Sequence, residues 1–488
     1  MIHRPITRRT FLRSLALVAG SVGAGPVLAA CQSAPPSTPQ VVERVVTQVV
    51  EKPVDRVVTQ VVEKPVDRVV TKEIIVTATP APAAAPTPKG PVTVEFIYSS
   101  ADDVSSPNGK WIHDQIDQFQ KENALIKVKQ TQMPWVGQRE VLITRLVAGD
   151  APDMAILHSN HAAEIGSAMK GLAAMEELDG WPAYKDIFVP GRLATVQSQG
   201  KHYGVPWFGI VFGTAAHKPT FAEVKQDFPK TWTQFRQAAK AVTIPRKRYG
   251  YGAAMGQGLD AAYRVYPFVL MNGGRFMNED LSTFTFNDEP NIQALQLFLD
   301  LKADGSTVAG MESWTGANEA DSFPTGLMVM AQGGPWIPLW EKDLAKLNDW
   351  ELITLAKPDK VAGSAPSVTL SDDIMLSITQ QAKAKAEAFK LIQYLQNEPK
   401  ATERAIRPEL IALPVVKAAF KDARWQKTWG SAAYEIMLGA SEPWPYTPVL
   451  GEAQNIYALA VSKAFSGQMS AKQALDEGVQ KAQALIKK

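Results

Sequence analysis

A regular alternation of strand and helix patterns between residues 92 and 157 constrains the fold most. Residues 92–98, VTVEFIY, alternate in the manner of a half-buried strand, and residues 154–157 form a short apolar run. A further strand pattern lies at residues 125–128, and stretches with helical spacing of apolar side chains separate the three strands. Strands and helices in this order need crossover connections, so we predict a parallel α/β sheet covered by helices.

A later strand pattern ends in an aromatic turn. Residues 327–331, LMVMA, predict a strand buried on both faces, and Gly333, Gly334 and Pro335 then interrupt it. Trp336 follows at the carboxyl end of this strand, where ligands bind in open α/β sheets. A tryptophan there offers a flat apolar face and one N–H group. Trp336 is therefore either a ligand-stacking platform or a core residue, and its position alone favours neither.

The amino-terminal segment has the features of an export signal. Arg8 and Arg9 lie in a TRRTFL segment that matches the twin-arginine pattern, which a receptor recognises. Residues 15–28 are moderately apolar but short for a membrane span. Leu-Ala-Ala then precedes Cys31, the only cysteine of the chain, and this resembles the cleavage box of bacterial lipoproteins. We expect residues 1–30 to be removed and Cys31 to carry a lipid that holds the protein at the cell membrane. An ordinary secreted protein with a free thiol is the alternative.

Residues 31–90 have the composition of a tether. The unit RVVTQVVEKPVD occupies residues 44–55, repeats unchanged at residues 56–67 and begins again at residue 68. One proline in each unit interrupts any helix, and paired valines favour an extended backbone. Residues 78–89 are rich in proline and alanine, which predicts a stiff spacer. We interpret the segment as a stalk, with self-association through the valine pairs as the alternative.

The composition is that of a soluble globular protein. Of the 488 residues, 45% are hydrophobic and 20% are charged, and this length predicts two or three domains. The net charge is +2, from 51 basic and 49 acidic residues. Four arginines fall in the predicted leader, so removing it lowers the 51 basic residues to 47 and the charge to −2. This balance does not indicate a nucleic-acid partner.

Several short motifs follow one another along the body of the chain. In order, they are residues 146–153 (LVAGDAPD), 200–207 (GKHYGVPW), 229–235 (PKTWTQF), 272–274 (NGG), 323–336 (a strand ending in GPW), 388–399 (AFKLIQYLQNEP), 413–420 (LPVVKAAF) and 458–475. Their order and spacing resemble the extracellular solute-binding proteins of bacterial ABC importers, in the large family that binds carbohydrates. One segment departs from the family pattern: where many relatives have Tyr-Asn-Lys, residues 214–218 read TAAHK, and only Lys218 matches.

The resemblance implies a two-lobed α/β fold of the periplasmic-binding-protein type, similar to type II, with a ligand cleft between the lobes. Carried onto this chain, the first lobe comprises residues 91–207 plus 357–412, and the second comprises residues 208–356 plus 413–488. The cleft is expected to close about a hinge; periplasmic binding proteins are themselves a standard example of this motion. The resemblance further implies a monomer that is not an enzyme, holds no cofactor and delivers a carbohydrate to membrane permease subunits.

The chemistry of a sugar suggests which residues bind it. A sugar has apolar C–H faces, which suit aromatic rings, and hydroxyl edges, which suit polar side chains. The resemblance places Trp207 and Trp336 in the cleft. Three other tryptophans are candidates because they lie outside the helix patterns: Trp135, Trp314 and Trp444. The polar candidates are Asn160, His161, Asn272, Asp372 and Asp373.

Other chemistry has weaker support. His158, His161 and Glu164 have a spacing that could hold zinc on a helix, but the remaining histidines are scattered, so we expect no metal. Adjacent carboxylates such as Asp372 and Asp373 point apart, unlike the facing pair of a glycosidase. Two classes stay open: a binding protein for carbohydrate, and a lipid-anchored enzyme acting on polysaccharide. A third hypothesis keeps the fold with another solute, such as a polyol phosphate or a peptide.

Overall fold

The computed structural model describes residues 90–99, 104–133, 137–361, 368–410 and 412–486. The predicted leader with Cys31, the tether up to residue 89 and the candidate Trp135 lie outside the described residues. In the part of the chain that is described, no helix is long and apolar enough to cross a membrane.

Strands are present at all of the positions that the sequence patterns predicted. The strands of the described residues are β1 (Val92–Ser99), β2 (Ile126–Met133), β3 (Met154–His158), β4 (Gln197–Ser198), β5 (Lys201–His202), β6 (Val205–Phe208), β7 (Gly213–His217), β8 (Tyr249–Gly252), β9 (Met328–Gly333), β10 (Trp350–Ile353), β11 (Thr369–Ser371), β12 (Ile374–Ile378) and β13 (Ser441–Pro443). β2 extends beyond its predicted end. Its second half, KQTQM, was not predicted because it is largely polar and lacks the apolar pattern of a buried strand.

The helices fill the intervals between these strands. They are α1 (Pro107–Glu122), α2 (Gln138–Ala148), α3 (Trp181–Tyr184), α4 (Pro190–Ala194), α5 (Lys218–Glu223), α6 (Trp232–Val242), α7 (Leu259–Met271), α8 (Glu289–Ala303), α9 (Gly316–Ser322), α10 (Ile337–Glu341), α11 (Lys385–Leu395), α12 (Glu398–Ala405), α13 (Lys417–Lys421), α14 (Ser431–Gly439), α15 (Leu450–Phe465) and α16 (Ala471–Ile486). A short π-helical segment, Ala162–Ala168, follows β3.

Local sequence explains where the helices begin. Thr231 caps α6: its side chain accepts a hydrogen bond from the Gln234 N–H, and the Gln234 side chain accepts from the Thr231 N–H in return. Ser106 caps α1 in the same manner, through the N–H of Gly109. These caps satisfy N–H groups that have no partner inside the helix.

The first sheet contains five strands in the order β2-β1-β3-β12-β6. β1 pairs in parallel with both β2 and β3, as the strand–helix alternation predicts. β12 arrives from far along the chain and runs antiparallel to both β3 and β6. All five of its residues are buried, because β12 has a strand on each side and helices over its faces.

The second sheet contains four strands in the order β10-β7-β9-β8. β9 is the strand that the apolar run at residues 327–331 predicted, and all six of its residues are buried. It pairs in parallel with β8 and antiparallel with β7. Its carboxyl end at Gly333 leads directly to Trp336.

The two sheets belong to two α/β lobes. We call the five-stranded sheet with α1, α2 and α11 the first lobe, and the four-stranded sheet with α6, α7, α8, α15 and α16 the second lobe. Within the described ranges, the chain passes between them three times: between β6 and β7, between β10 and β12, and between α11 and α14.

A buried ion pair lies where these crossings meet. Arg192 Nη1 donates hydrogen bonds to both carboxylate oxygens of Asp373, at 2.9 and 3.2 Å. The Thr195 hydroxyl and the Ile210 N–H also donate to this carboxylate, at 3.2 and 3.3 Å. Arg192 Nη2 donates to Ser441 Oγ of β13 at 3.3 Å. The network therefore connects the first lobe to two segments that lead into the second.

Candidate functional site

A cavity of about 640 Å³ lies between the two lobes. β3, β6 and β9 all end at it: His158, Phe208 and the turn that carries Trp336 contribute to its lining. This is the position that open α/β sheets use for ligands, beyond the carboxyl ends of their strands. The volume is in the range of small-molecule sites, about 300–1,000 Å³.

The two lobes line this cavity with different chemistry. The first lobe contributes a set of polar side chains, which we call the polar wall: Asn108, Gln138, Arg139, Glu140, His158, His161 and Asp372. The second lobe contributes a set of aromatic and aliphatic side chains, which we call the aromatic wall: Phe212, Leu259, Tyr263, Trp336, Leu339 and Trp340. The second lobe also contributes Arg264, Gly451, Gln454 and Asn455.

Trp336 lies at the centre of a group of rings on the aromatic wall. Its ring centroid is 5.3 Å from that of Phe212 and 6.0 Å from that of Trp340. The ring folds back over Gly334, where a methyl group would lie only 2.7 Å from Cε3 and closer still to two other ring carbons. Glycine at this position is therefore needed for space. The half-buried indole is held on one side by aromatic neighbours while it lines the cavity.

A buried ion pair supports this ring. Arg264 lies 5.8 Å from the centroid of Trp336. Its Nε and Nη2 donate to the Glu319 carboxylate at 2.8 and 2.6 Å, and its Nη1 donates to Gln332 Oε1 at 3.0 Å. The side chains of Arg264 and Glu319 are only 7% and 0% exposed. The pair connects α7, α9 and the end of β9, so three elements fix the position of the aromatic wall.

Two histidines and a carboxylate form one part of the polar wall. His158 Nδ1 lies 2.7 Å from Asp372 Oδ2, and the rings of His158 and His161 are stacked 6.0 Å apart. Burial, and then the neighbouring charges of His158 and Arg139, lower the pKa of His161 to about 3. The His161 ring is therefore neutral at physiological pH. In the described part of the chain, no group of three or more His, Cys, Asp or Glu side chains is arranged to hold a metal ion.

Tyr263 brings the aromatic wall against the polar wall. Its ring lies 5.8 Å from that of Phe212 in its own lobe and 6.2 Å from that of His158 in the other. Burial, and then the charge of Asp372, raise the pKa of the Tyr263 hydroxyl well above its ordinary value. The phenol therefore keeps its proton and can both donate and accept hydrogen bonds in the cavity.

Arg139 is the cation of the polar wall, and Glu164 of the π-helical segment fixes it. Glu164 accepts a hydrogen bond from Arg139 Nε at 2.7 Å and a second, shorter one from Nη2. Glu140 accepts from Nη1 at 3.0 Å. The two hydrogen bonds between the guanidinium and the Glu164 carboxylate are bidentate, and they restrict the Arg139 side chain to one orientation.

Several polar atoms at the cavity have no hydrogen-bond partner among the described residues. Gln138 is only 3% exposed, yet both its amide oxygen and its amide nitrogen lack one. Trp336 Nε1 and His161 Nδ1 also lack one. A buried polar group without a partner costs about 1–3 kcal/mol, so a group of them at one cavity is suited to a ligand that can hydrogen-bond to them.

The structure brings three of the predicted ligand residues to the cavity. Trp336, His161 and Asp372 all line it. Asn160, the residue before His161, is buried and does not line the cavity. Asp373 does not line the cavity, because its carboxylate is buried and already accepts from Arg192, as described for the crossings.

The other predicted ligand residues that the structure describes are buried in the core or pack on it. Trp207 is 1% exposed and is covered by Arg404, whose guanidinium carbon lies 3.4 Å from the ring centroid. Trp444 is 0% exposed and stacks on Tyr266 at 4.1 Å. A large apolar ring is drawn into the core wherever a partner is available, so a proline-flanked loop does not by itself expose a tryptophan.

Asn272 and Trp314 serve local structure instead. Asn272 is the C-cap of α7, and its Nδ2 donates to the Pro290 carbonyl at 2.9 Å and to Gln293 Oε1 at 3.1 Å. Trp314 is half-buried against the core, and its carbonyl accepts from the Gly256 N–H at 2.9 Å. Neither residue lines the cavity between the lobes.

Cavity residues at the start of two helices were not among those predicted from the sequence. Gln138 and Arg139 begin α2, which follows β2, and Gln454 lies in the first turns of α15. A helix that starts just after the carboxyl end of a strand places its first residues at the ligand edge of the sheet. That rule could have identified Gln138 and Arg139, whereas nothing local marks Gln454, Tyr263 or Arg264.

Comparison with protein families matches residues 103–402 to the family described as bacterial extracellular solute-binding protein. Among curated proteins, the galactooligosaccharide-binding protein of Bacillus subtilis (strain 168) is 24% identical over 394 residues, which cover 79% of this chain and 88% of that protein.

Solved structures share the fold at low identity. Maltose-bound MalE3 of T. maritima superimposes with a TM-score of 0.73 at 18% identity, over 80% of this chain and 99% of the other. An ABC transporter solute-binding protein from Agrobacterium radiobacter K84, in complex with ribitol, gives a TM-score of 0.72 at 18% identity, over 82% and 100% of the two chains.

Proposed function

The chain belongs to the family of bacterial extracellular solute-binding proteins, and we propose that it captures a carbohydrate in the cavity between its lobes and delivers it to the permease of an ABC transporter. The match over residues 103–402 confirms the resemblance drawn from the sequence motifs, and the two-lobed α/β fold is as expected. Members of this family bind solutes and do not transform them. The protein is accordingly not an enzyme, and the hypothesis of a polysaccharide-acting enzyme is set aside.

One observation carries the carbohydrate proposal: the aromatic wall faces hydrogen-bonding groups that lack protein partners. Trp336 and Trp340 line one side of the cavity, while Gln138 and His161 line the other. A sugar ring presents an apolar face to an indole and hydroxyl groups at its edges. Each hydroxyl can donate and accept, so it can satisfy an amide oxygen, an amide nitrogen or a ring nitrogen.

The charges of the cavity favour an uncharged saccharide. Arg139 is paired with Glu164 and Glu140, and Arg264 is paired with Glu319. The Asp372 carboxylate bonds to the His158 ring. An acidic or cationic sugar would need an unpaired opposite charge in the protein, and each charged side chain that lines this cavity already has a partner within the described residues. The ligands of the similar proteins, galactooligosaccharide, maltose and ribitol, are also uncharged.

The lobes proposed from the sequence, residues 91–207 plus 357–412 and residues 208–356 plus 413–488, have the support of the sheets. The strands of the five-stranded sheet fall within the first pair of ranges except for Phe208, the last residue of β6, and those of the four-stranded sheet all fall within the second. We place the hinge at the crossings around the Arg192–Asp373 pair. Rotation there opens and closes the cavity.

Delivery requires the protein to stay near the permease. The family is extracellular, so the protein acts outside the cytoplasm. We propose that it is exported through the Arg8-Arg9 signal and anchored by a lipid on Cys31. The stalk of residues 31–90 then separates the folded body, a monomer, from the membrane. Mass spectrometry of the mature protein tests this: a lipid on Cys31 is expected, and an unmodified thiol contradicts the anchor.

Incubation of the protein with a saccharide panel tests the ligand class. The panel contains maltose, a galactooligosaccharide, ribitol, a uronic-acid disaccharide, a polyol phosphate and a peptide, and the melting temperature and the reaction products are measured for each. A ligand present at about 100 times its Kd stabilises the folded state by about 2.7 kcal/mol. We expect stabilisation by a neutral saccharide without any cleavage. Stabilisation only by the uronate, a polyol phosphate or a peptide contradicts the proposed ligand, and any cleavage contradicts the binding function.

A further inference from the structure

The side chain of Arg139 extends from the polar wall to Gly451 in the second lobe. A methyl group added at Gly451 would lie 2.8 Å from Arg139 Cδ and 2.9 Å from Cζ, and closer still to Nε. Non-bonded heavy atoms in such contacts are normally about 3.5–4.0 Å apart. Only the bare backbone of a glycine therefore leaves room for this arginine.

Arg139 cannot move aside freely. Glu164 holds its Nε and Nη2, and Glu140 holds its Nη1. Hydrogen bonding to Glu164 raises the pKa of Arg139 above its ordinary value, so the ion pair persists at all physiological pH values. The atoms nearest Gly451 lie in the middle of the side chain, between the aliphatic stem and the held guanidinium, and so have little freedom to yield.

The backbone of Gly451 does not itself require glycine. The residue lies in the first turn of α15 and is absent from the glycines that have positive φ. Glycine is less favourable than alanine at such a helical position, because it loses more conformational freedom on folding. The room that Arg139 needs is therefore the physical reason for a glycine at position 451.

The contact joins elements of different lobes. Arg139 begins α2, which packs on the first sheet through Leu142 and Leu146. Gly451 belongs to α15, which packs on α7 and α16 in the second lobe. When two lobes rotate apart about a hinge, contacts within each lobe are kept and contacts across the cleft are lost. The docking of Arg139 on Gly451 belongs to the closed cleft.

We propose that Arg139, docked on Gly451, is the positioning residue that holds the cleft closed around its ligand. Position 451 then determines ligand affinity through closure and without bonding to the ligand. Any side chain there holds Arg139 away and favours the open cleft, which lowers the affinity for each ligand by the same factor. The inference rests on the proposed function, because a carbohydrate is the ligand that closes the cleft.

The first experiment compares Gly451→Ala with Gly439→Ala. Gly439 ends α14, is exposed and has no atom within 4 Å of an added methyl group, so it is a matched control. Affinities for maltose and for a galactooligosaccharide are measured by calorimetry. Gly451→Ala should weaken both by about tenfold, the scale of overpacking a close contact. Its melting temperature without ligand should equal or exceed that of the wild type. Gly439→Ala should leave both affinities unchanged.

The second experiment is a double-mutant cycle with Arg139→Ala. Removing Arg139 exposes the Glu164 carboxylate equally in both backgrounds, so this cost cancels in the cycle. If position 451 acts through Arg139, Gly451→Ala should have little effect on affinity in the Arg139→Ala background. A tenfold loss that persists in that background overturns the proposal, because the methyl group then acts on the ligand directly.

Further outcomes are decisive. Unchanged affinity in Gly451→Ala overturns the proposal. A loss of stability in the unliganded protein as large as the loss of binding free energy also overturns it, since the contact would then not be specific to the closed cleft. If the wild type binds neither saccharide but binds another compound of the panel, the proposed carbohydrate fails while closure is still tested with that compound. Small-angle scattering with the bound ligand at saturation decides on closure: a smaller ligand-induced decrease in the radius of gyration of Gly451→Ala than of the wild type supports the contact, and equal decreases overturn it.

Discussion

The two walls of the cavity differ in chemistry and in how the fold supports them. The aromatic wall has few polar atoms, and the Arg264–Glu319 pair behind it is nearly inaccessible to solvent. The polar wall is braced by Arg139 and Glu164, whose side chains are 20% and 11% exposed. One wall therefore depends on a buried ion pair and on ring packing, while the other depends on hydrogen bonds that solvent can partly replace.

This difference suggests a division of roles. A rigid platform for an apolar sugar face needs support from behind, and three elements of the second lobe provide it. Groups that recognise hydroxyls must instead be left without protein partners, as Gln138 is. We infer that the aromatic wall contributes most of the affinity and that the polar wall distinguishes one saccharide from another.

The largest expected effect is on the free energy of unfolding, and it should differ between the two arginines. Arg264→Met should lower the free energy of unfolding by about 3–5 kcal/mol, because it leaves the Glu319 charge buried without its partner. Arg139→Met should cost substantially less, since water can reach Glu164. Urea denaturation of both variants measures the difference. Equal losses would show that the two walls are braced alike.

Trp336→Ala should have the next largest effect, on affinity. Loss of one stacking face costs about 1–3 kcal/mol, judged by base stacking on aromatic side chains, which is about ten- to hundredfold in Kd. Trp336→Phe keeps a ring and should recover most of the binding. Calorimetric titration is paired with the melting temperature of the unliganded protein. A large drop in melting temperature with unchanged affinity would make Trp336 a packing residue.

The polar wall should also show a pH dependence of stability. An unfolded histidine binds a proton below a pH of about 6.5, whereas the pKa of folded His161 is about 3. The stability that neutral His161 contributes is therefore fully present above about pH 6.5. It falls as the pH drops towards 3, by at most about 1.4 kcal/mol per pH unit. His161→Gln should reduce the loss between pH 6.5 and pH 5 by about 1–2 kcal/mol. Parallel stability curves for the two proteins would contradict the buried, neutral ring.

The smallest expected effect belongs to Gln138. Gln138→Ala removes hydrogen bonds to ligand hydroxyls, at about 0.5–1.5 kcal/mol each, so affinity should fall about two- to tenfold. The unliganded protein should lose no stability, because a buried amide without a protein partner is removed. Gln118→Ala, at an exposed position of α1, is the control. A destabilised variant with unchanged affinity would mean that Gln138 serves packing.

Much of the fold could be predicted from local patterns, because those patterns report on local physics. Alternation located β1, the apolar run located β9, and the capping box that starts α6 is formed by two residues close in sequence, Thr231 and Gln234. The antiparallel β12 in the middle of the first sheet could not be predicted, since its neighbours β3 and β6 come from distant parts of the chain. Pairing between distant strands leaves no mark on local periodicity.

By itself, the sequence determined the strand–helix order, the buried strand that leads to Trp336 and the family to which the chain belongs. Only the tertiary structure decided which tryptophans face the cavity, because Trp336 and Trp444 both lie at proline-containing turns and differ in what packs on them. It also decided that Arg139 lies on Gly451. A local pattern fixes the face of an element on which a side chain lies, but the segment that meets this face depends on how the whole chain packs.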